Sequence, residues 1–85
     1  MYKIFTANKK VEKILQKYLF LRGNIRDKLD LLKIMPRKAN GTHPLHGRLD
    51  GKWACWFGSN IRAIYSIYEK EKIIIIEAVG SHNIY

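Results

Sequence analysis

Acidic residues, cysteines, prolines and long apolar runs are all scarce in this chain, and each shortage removes a class of explanation. Only seven Asp and Glu stand against sixteen Lys and Arg, leaving a net charge of +9. The single cysteine, Cys55, permits neither a disulfide framework nor a cysteine-based zinc site within one chain, and it suits a reducing interior. Two prolines mark boundaries, and no proline-rich linker or repeat is present. No apolar run approaches the roughly 20 residues needed to span a bilayer. The first residues also lack the stretch of about 7 to 15 apolar residues that a signal peptide carries. These absences predict a soluble, cytoplasmic protein with no membrane partner. At 85 residues the expectation is a single domain, residues 1–85, with one modest core, which excludes an enzyme carrying its own cofactor-binding domain.

The positive charge is unevenly placed. Up to Thr42 there are eleven basic and three acidic residues, net +8, whereas from His43 onward the net is +1. Such a footprint suits a polyanion or an acidic protein segment, with a solvated lysine-rich helix face as the alternative. Tyr2 to Phe5 has the aromatic and β-branched content of a short strand, after which Thr6 or Asn8 can cap a helix. Val11, Ile14, Leu15, Tyr18 and Leu21 then form one helical stripe, while Lys9, Lys10, Lys13 and Lys17 lie largely elsewhere. Gly23 ends that helix, and Asn24 can cap a second one with Asp27 in its first turn and Ile25, Leu29 and Leu32 as its apolar repeat. Pro36 closes it, and Arg37 to Thr42 reads as a loop.

From Leu45 the period changes to two. Lys52, Ala54 and Trp56 share one face of a strand, with Trp53, Cys55 and Phe57 on the other. In Ile61 to Tyr68, Arg62, Ile64, Ser66 and Tyr68 face one way, and Ile61, Ala63, Tyr65 and Ile67 form the more apolar side. Ile73 to Val79 is nearly all apolar, the pattern of a strand flanked on both sides. The predicted order β-α-α-β-β-β is an α+β fold: a small antiparallel sheet packed on one side by an N-terminal helical hairpin.

Polar and titratable residues gather at the borders of these strands: His43-Pro44-Leu45-His46-Gly47, Gly51-Lys52-Trp53, Ile61-Arg62-Ala63-Ile64-Tyr65 and Gly80-Ser81-His82-Asn83-Ile84-Tyr85. With these segments the chain resembles the RelE/ParE superfamily of bacterial and archaeal toxins, and within it the YafQ-like and RelE/StbE-like RNA-cleaving branch. The resemblance implies a type II toxin that cuts messenger RNA on the ribosome without metal or cofactor. It also implies a cognate antitoxin as partner, in a hetero-oligomeric complex. In such toxins the ribose 2′-hydroxyl attacks the adjacent phosphate, which requires a base, a cation or donor for the phosphate and an acid at the leaving 5′-oxygen.

Carried over by motif, His82 is the general acid and His43 the base or its partner, since histidine near its ordinary pKa serves either role. Tyr85 matches the family's terminal aromatic, which packs on a base or orients the ribose. Arg62 matches the strand arginine that contacts phosphate. Lys52 adds positive potential, His46 is an auxiliary contact, and Trp56 can stack on a base. YafQ-like relatives carry a histidine where this chain has Trp56. His43 and His46 amount to half a metal site that no Cys or acidic cluster completes, so no metal is expected. Two other classes share the features: a ParE-like inhibitor of DNA gyrase and an inactive basic nucleic-acid binder.

Overall fold

The computed structural model describes residues 1–58 and 60–81. Strand β1 (Lys3–Thr6) leads into helices α1 (Lys9–Leu21) and α2 (Asn24–Ile34). A two-residue strand β2 (His43–Pro44) then precedes β3 (Trp53–Trp56), β4 (Arg62–Tyr68) and β5 (Ile73–Gly80). Of the two candidate caps for α1 it is Asn8 whose side chain serves, accepting the Val11 N–H at 2.9 Å. Asn24 does not cap α2: it is the first helical residue, and Gly23 holds the cap position without a side-chain bond. The α1 stripe buries Val11 and Leu15 and half-buries Ile14 and Tyr18. Leu21, at the helix end, stays 66% exposed, so the stripe stops short of it.

The strands form one sheet in the order β1-β5-β4-β3-β2. The α+β class and the layering match the sequence expectation, and β2 through β5 pair antiparallel. At the β1–β5 seam the pairing is parallel, Lys3 beside Ile73 through Thr6 beside Ile76. No hairpin turn joins these two strands, so nothing local imposes the antiparallel sense. The apolar run of β5 lies between β1 and β4, as its composition requires. Strand β2 is an addition: His43 and Pro44, which fall between the predicted loop ending at Thr42 and the two-residue period starting at Leu45, pair with Ala54 and Trp53.

The hairpin covers one face of the sheet. Ile25 and Leu32 from α2 meet Phe57, Tyr65, Ile74 and Ile76, all fully buried, and Cys55 joins them. Burial pushes the Cys55 thiol up to about 12, which makes it a core residue and not a nucleophile at neutral pH. Among the described residues Tyr65 carries the fully buried phenol of this core. Its O–H donates to the Pro36 carbonyl at 2.6 Å, and its oxygen lies 2.7 Å from Thr42 Oγ1. Thr42 Oγ1 also lies 2.5 Å from the Ala39 carbonyl. This small network fastens the segment between α2 and β2 to the middle of the sheet.

A second clamp joins the chain's beginning to the β4–β5 turn. Glu69 accepts from Tyr2 Oη at 2.5 Å and from Arg37 at 2.9 Å, and it pairs with Lys72. These donors, Lys72 first, hold its carboxyl down at about 2 although it is exposed.

Removing the phenol oxygen tests the first clamp. Tyr65→Phe keeps the ring and strips two buried partners, so unfolding free energy should fall by about 1 to 3 kcal/mol. Urea denaturation reads this directly, and an unchanged midpoint would deny the network a structural role. For the second clamp the sign follows from the depressed carboxyl: its contribution is present above the ordinary value of 4.5 and is lost as pH falls towards 2. Glu69→Gln should therefore flatten the thermal-stability profile across that window, and an unaltered acid slope would contradict the assignment.

Candidate active site

The sheet face away from the helices carries a smaller cluster, in which Leu45, Ala54 and Ile64 are buried with Leu49 and Ala78 against them. Leu45 and Leu49 come from the segment between β2 and β3, so that segment folds over this face. Gly51 at its end has φ +90, a left-handed value that a side chain would strain as the chain turns into β3.

Residues opposed in an antiparallel ladder share a face. One row across this open face is therefore His43, Ala54, Ile64 and Ala78. The next is Trp56, Arg62 and Gly80. In that second row the Arg62 guanidinium carbon lies 3.9 Å from the centre of the Trp56 ring. Gly41, at φ +67, packs against the same indole, where a Cβ would stand 3.0 Å from Trp56 Cδ1. Strand spacing and rise put His43 and Arg62 about 12 Å apart between Cα atoms. His43 and Arg62 thus lie on one face, two strands apart.

Lys52 and Ser66 occupy a third row, and there the sequence reading missed a participant. Tyr65 pairs with Ile76 but Ile64 pairs with Ala78, so Glu77 is an extra, bulged residue on β5. Its carboxylate accepts from both Lys52 Nζ and Ser66 Oγ. Lys52 therefore projects onto the expected face, but its charge is paired. Burial pushes the Glu77 carboxyl up, and the bonds from Lys52 and Ser66 more than offset this, leaving it below the usual range. The available signal was a single Glu interrupting an otherwise apolar strand.

His43 is exposed, with Nδ1 3.3 Å from the Pro44 carbonyl oxygen. His46 is also exposed and precedes the 3₁₀ turn Gly47–Leu49. Asp50 closes that turn, its N–H donating to the Gly47 carbonyl. His82 and Tyr85 lie outside the described residues, and the chain reaches them from Gly80 at the end of the Arg62 row. Among the described residues no group of three His, Cys, Asp or Glu side chains converges as a metal site would require. A groove of about 610 Å³ lies elsewhere, between β1 and the hairpin, lined by residues such as Ile4, Leu15, Leu29 and Lys33 and by no histidine.

No protein-family model matches the sequence, and a search of curated proteins finds no match either. Solved structures do match over nearly the whole chain. A YoeB/ParE toxin from Agrobacterium tumefaciens superposes with a TM-score of 0.76 at 14% identity, covering 94% of this chain and 98% of its own. YafQ from E. coli gives 0.67 at 23% identity, with 96% and 94% covered. An archaeal RelE–RelB complex from Pyrococcus horikoshii gives 0.68 at 26% identity, with 99% and 98% covered.

The chain has the fold of the RelE/ParE toxin superfamily. On that fold His43 and Arg62 lie on the sheet face away from the helices, where Glu77 binds both Lys52 and Ser66.

The depressed Glu77 carboxyl predicts a pH effect of defined sign. Its ion pair contributes stability above the ordinary carboxyl value of 4.5 and loses it on acidification. Glu77→Gln should lower thermal stability at neutral pH and leave less to lose in acid. Equal losses at pH 7 and pH 3 would show that the ionised carboxylate contributes nothing.

Proposed function

We propose that this chain is the toxin of a type II toxin–antitoxin pair and cuts messenger RNA in the ribosome by 2′-hydroxyl attack. The observation that supports the reading is that His43 and Arg62 share the sheet face the helices leave open, with Gly80, the last residue of β5, opposite Arg62. The RNA lies across this face. A base removes the 2′-hydroxyl proton as the 2′-oxygen bonds to phosphorus, and the bond to the 5′-oxygen breaks as an acid protonates it, leaving a 2′,3′-cyclic phosphate and a free 5′-hydroxyl. His43 serves as base or base partner and His82 as acid. Arg62 neutralises charge on the phosphoryl oxygens, which a guanidinium contacts two at a time. Tyr85 orients the reacting ribose or base.

The rest of the molecule supports delivery to an anionic partner. Lys9, Lys10, Lys13 and Lys17 are all exposed on α1, where like charges four residues apart weaken the helix slightly unless a partner neutralises them. The YoeB–YefM pair of Staphylococcus aureus and the archaeal RelE–RelB pair are complexes of this fold with a second protein, which supports an antitoxin as the cellular partner here.

Primer extension on message from cells or extracts containing the chain tests the chemistry: cuts positioned on codons are expected, whereas intact message with inhibited gyrase would sink the reading. His82→Ala should reduce cleavage by about 100- to 10,000-fold, the usual range for a general acid, with circular dichroism unchanged. Toxicity retained in that variant removes His82 from the mechanism. The double change Lys13→Glu with Lys17→Glu should weaken ribosome binding most at low salt. Indifference to those changes at every salt concentration would identify that helix face as merely solvated.

A further inference from the structure

The Trp56–Arg62 contact does more than fill space on the open face. We infer that Trp56 is a positioning residue that holds the Arg62 guanidinium for RNA phosphate, rather than a platform on which a base stacks. The inference rests on the ribonuclease reading for its substrate, and on geometry for everything else. A base platform needs an open ring face with room around it. Here one face of the indole carries the guanidinium at 3.9 Å, and its pyrrole edge meets the Gly41 backbone.

The arrangement suits an arginine that must bind phosphate. All five N–H donors of a guanidinium lie in its plane, so stacking one flat side on a ring uses none of them. The stack fixes the orientation of that plane, and with it the directions along which a phosphate would be met. Without it, a long side chain would have to be ordered when RNA arrives.

Both ends of the row favour the same pose. Trp56 and Arg62 are directly opposed on β3 and β4, and the ladder partner of Arg62 on its other side is Gly80, which contributes no side chain. On the far side of Trp56 stands Gly41, whose φ of +67 and lack of Cβ let the backbone come against the ring. The segment carrying Gly41 is itself held, through Asn40 Nδ2 donating to the Lys28 carbonyl at 2.9 Å and through Thr42 against Tyr65. Two bulky side chains thus sit between two glycines, with the indole backed by a fastened loop.

A double-mutant cycle on binding of a 2′-O-methyl RNA oligonucleotide, which offers no nucleophile for cleavage, separates the roles. Trp56→Leu should weaken binding by about 3- to 30-fold, the range of a cation–π contact. Arg62→Gln should weaken it at least as much, and the double variant should bind no worse than Arg62→Gln alone. Trp56→Phe should restore most of the affinity, because a ring remains beneath the guanidinium. Multiplying losses in the double variant, or a loss that depends on base identity, would overturn the inference in favour of base stacking. Absence of binding by the wild-type protein would overturn it as well.

One measurement needs no variant. The Arg62 Nε–H proton should resonate upfield of its random-coil position through the ring current of Trp56, and a random-coil value would dissolve the stack. Cleavage of ribosome-bound message is scored separately. Uncut message with the predicted binding cycle overturns the ribonuclease reading and leaves the positioning role of Trp56 standing.

Discussion

Ile74 and Ile76 on β5 point into the helix-side core, and strict alternation would send Ala78 after them. The bulge at Glu77 interrupts that alternation, so Val79 takes the core position and Ala78 joins the opposite cluster. β5 takes part in two of the sheet's four seams, parallel to β1 and antiparallel to β4. Its one-residue slip therefore decides what each face contains. Had the strand run regularly, either Glu77 or Gly80 would have faced the helices. The bulge instead puts Glu77 beside Lys52 and Ser66 and keeps Gly80 opposite Arg62.

The two sides of the sheet divide electrostatic labour accordingly. Most of the excess charge belongs to the chain before His43, and the lysines of α1 are exposed on the helix side. Charge of that kind acts at long range, raising encounter rates with an anionic partner and fading with salt. On the open face the cations are few and held: Lys52 by Glu77, Arg62 against Trp56. On the proposed ribonuclease reading, held cations would fix where a phosphate sits, and steering and placement would be supplied by different surfaces of a very small protein.

What was legible in the sequence follows from which signals are local. The alternation in Ile61 to Tyr68 and in Lys52 to Phe57 assigns faces correctly, because a half-buried strand writes its environment into every second residue. The helical stripes and the Asn8 cap are equally local. The parallel β1–β5 seam was not readable, since four residues of β-forming composition look the same in either sense. Nor was the bulge: in a run of isoleucines both faces accept the same side chain, so a slipped register leaves no trace except Glu77. Arg62 and Trp56 could each be proposed as substrate contacts, but their contact with each other needed the cross-strand pairing. His43 was nominated by motif, and the ladder adds its row. His82 and Tyr85 rest on motif alone.

The strongest link between stability and site runs through a single phenol. Tyr65 belongs to the central core, yet its hydroxyl is bonded to Pro36 and Thr42, outside any strand or helix. Thr42 is flanked by Gly41, which abuts Trp56, and by His43, the first residue of β2. Burial pushes the Tyr65 phenol up from its ordinary range, which favours the protonated form that donates to Pro36. The hydrophobic free energy that buries the ring therefore also orders the segment bearing the candidate base and the support beneath Trp56. A site built on strands and one fastened segment needs little rearrangement to bind. Loosening that segment would reach His43 and Arg62 together, which is why the geometry of this face is better regarded as an extension of the core than as a set of independent surface residues.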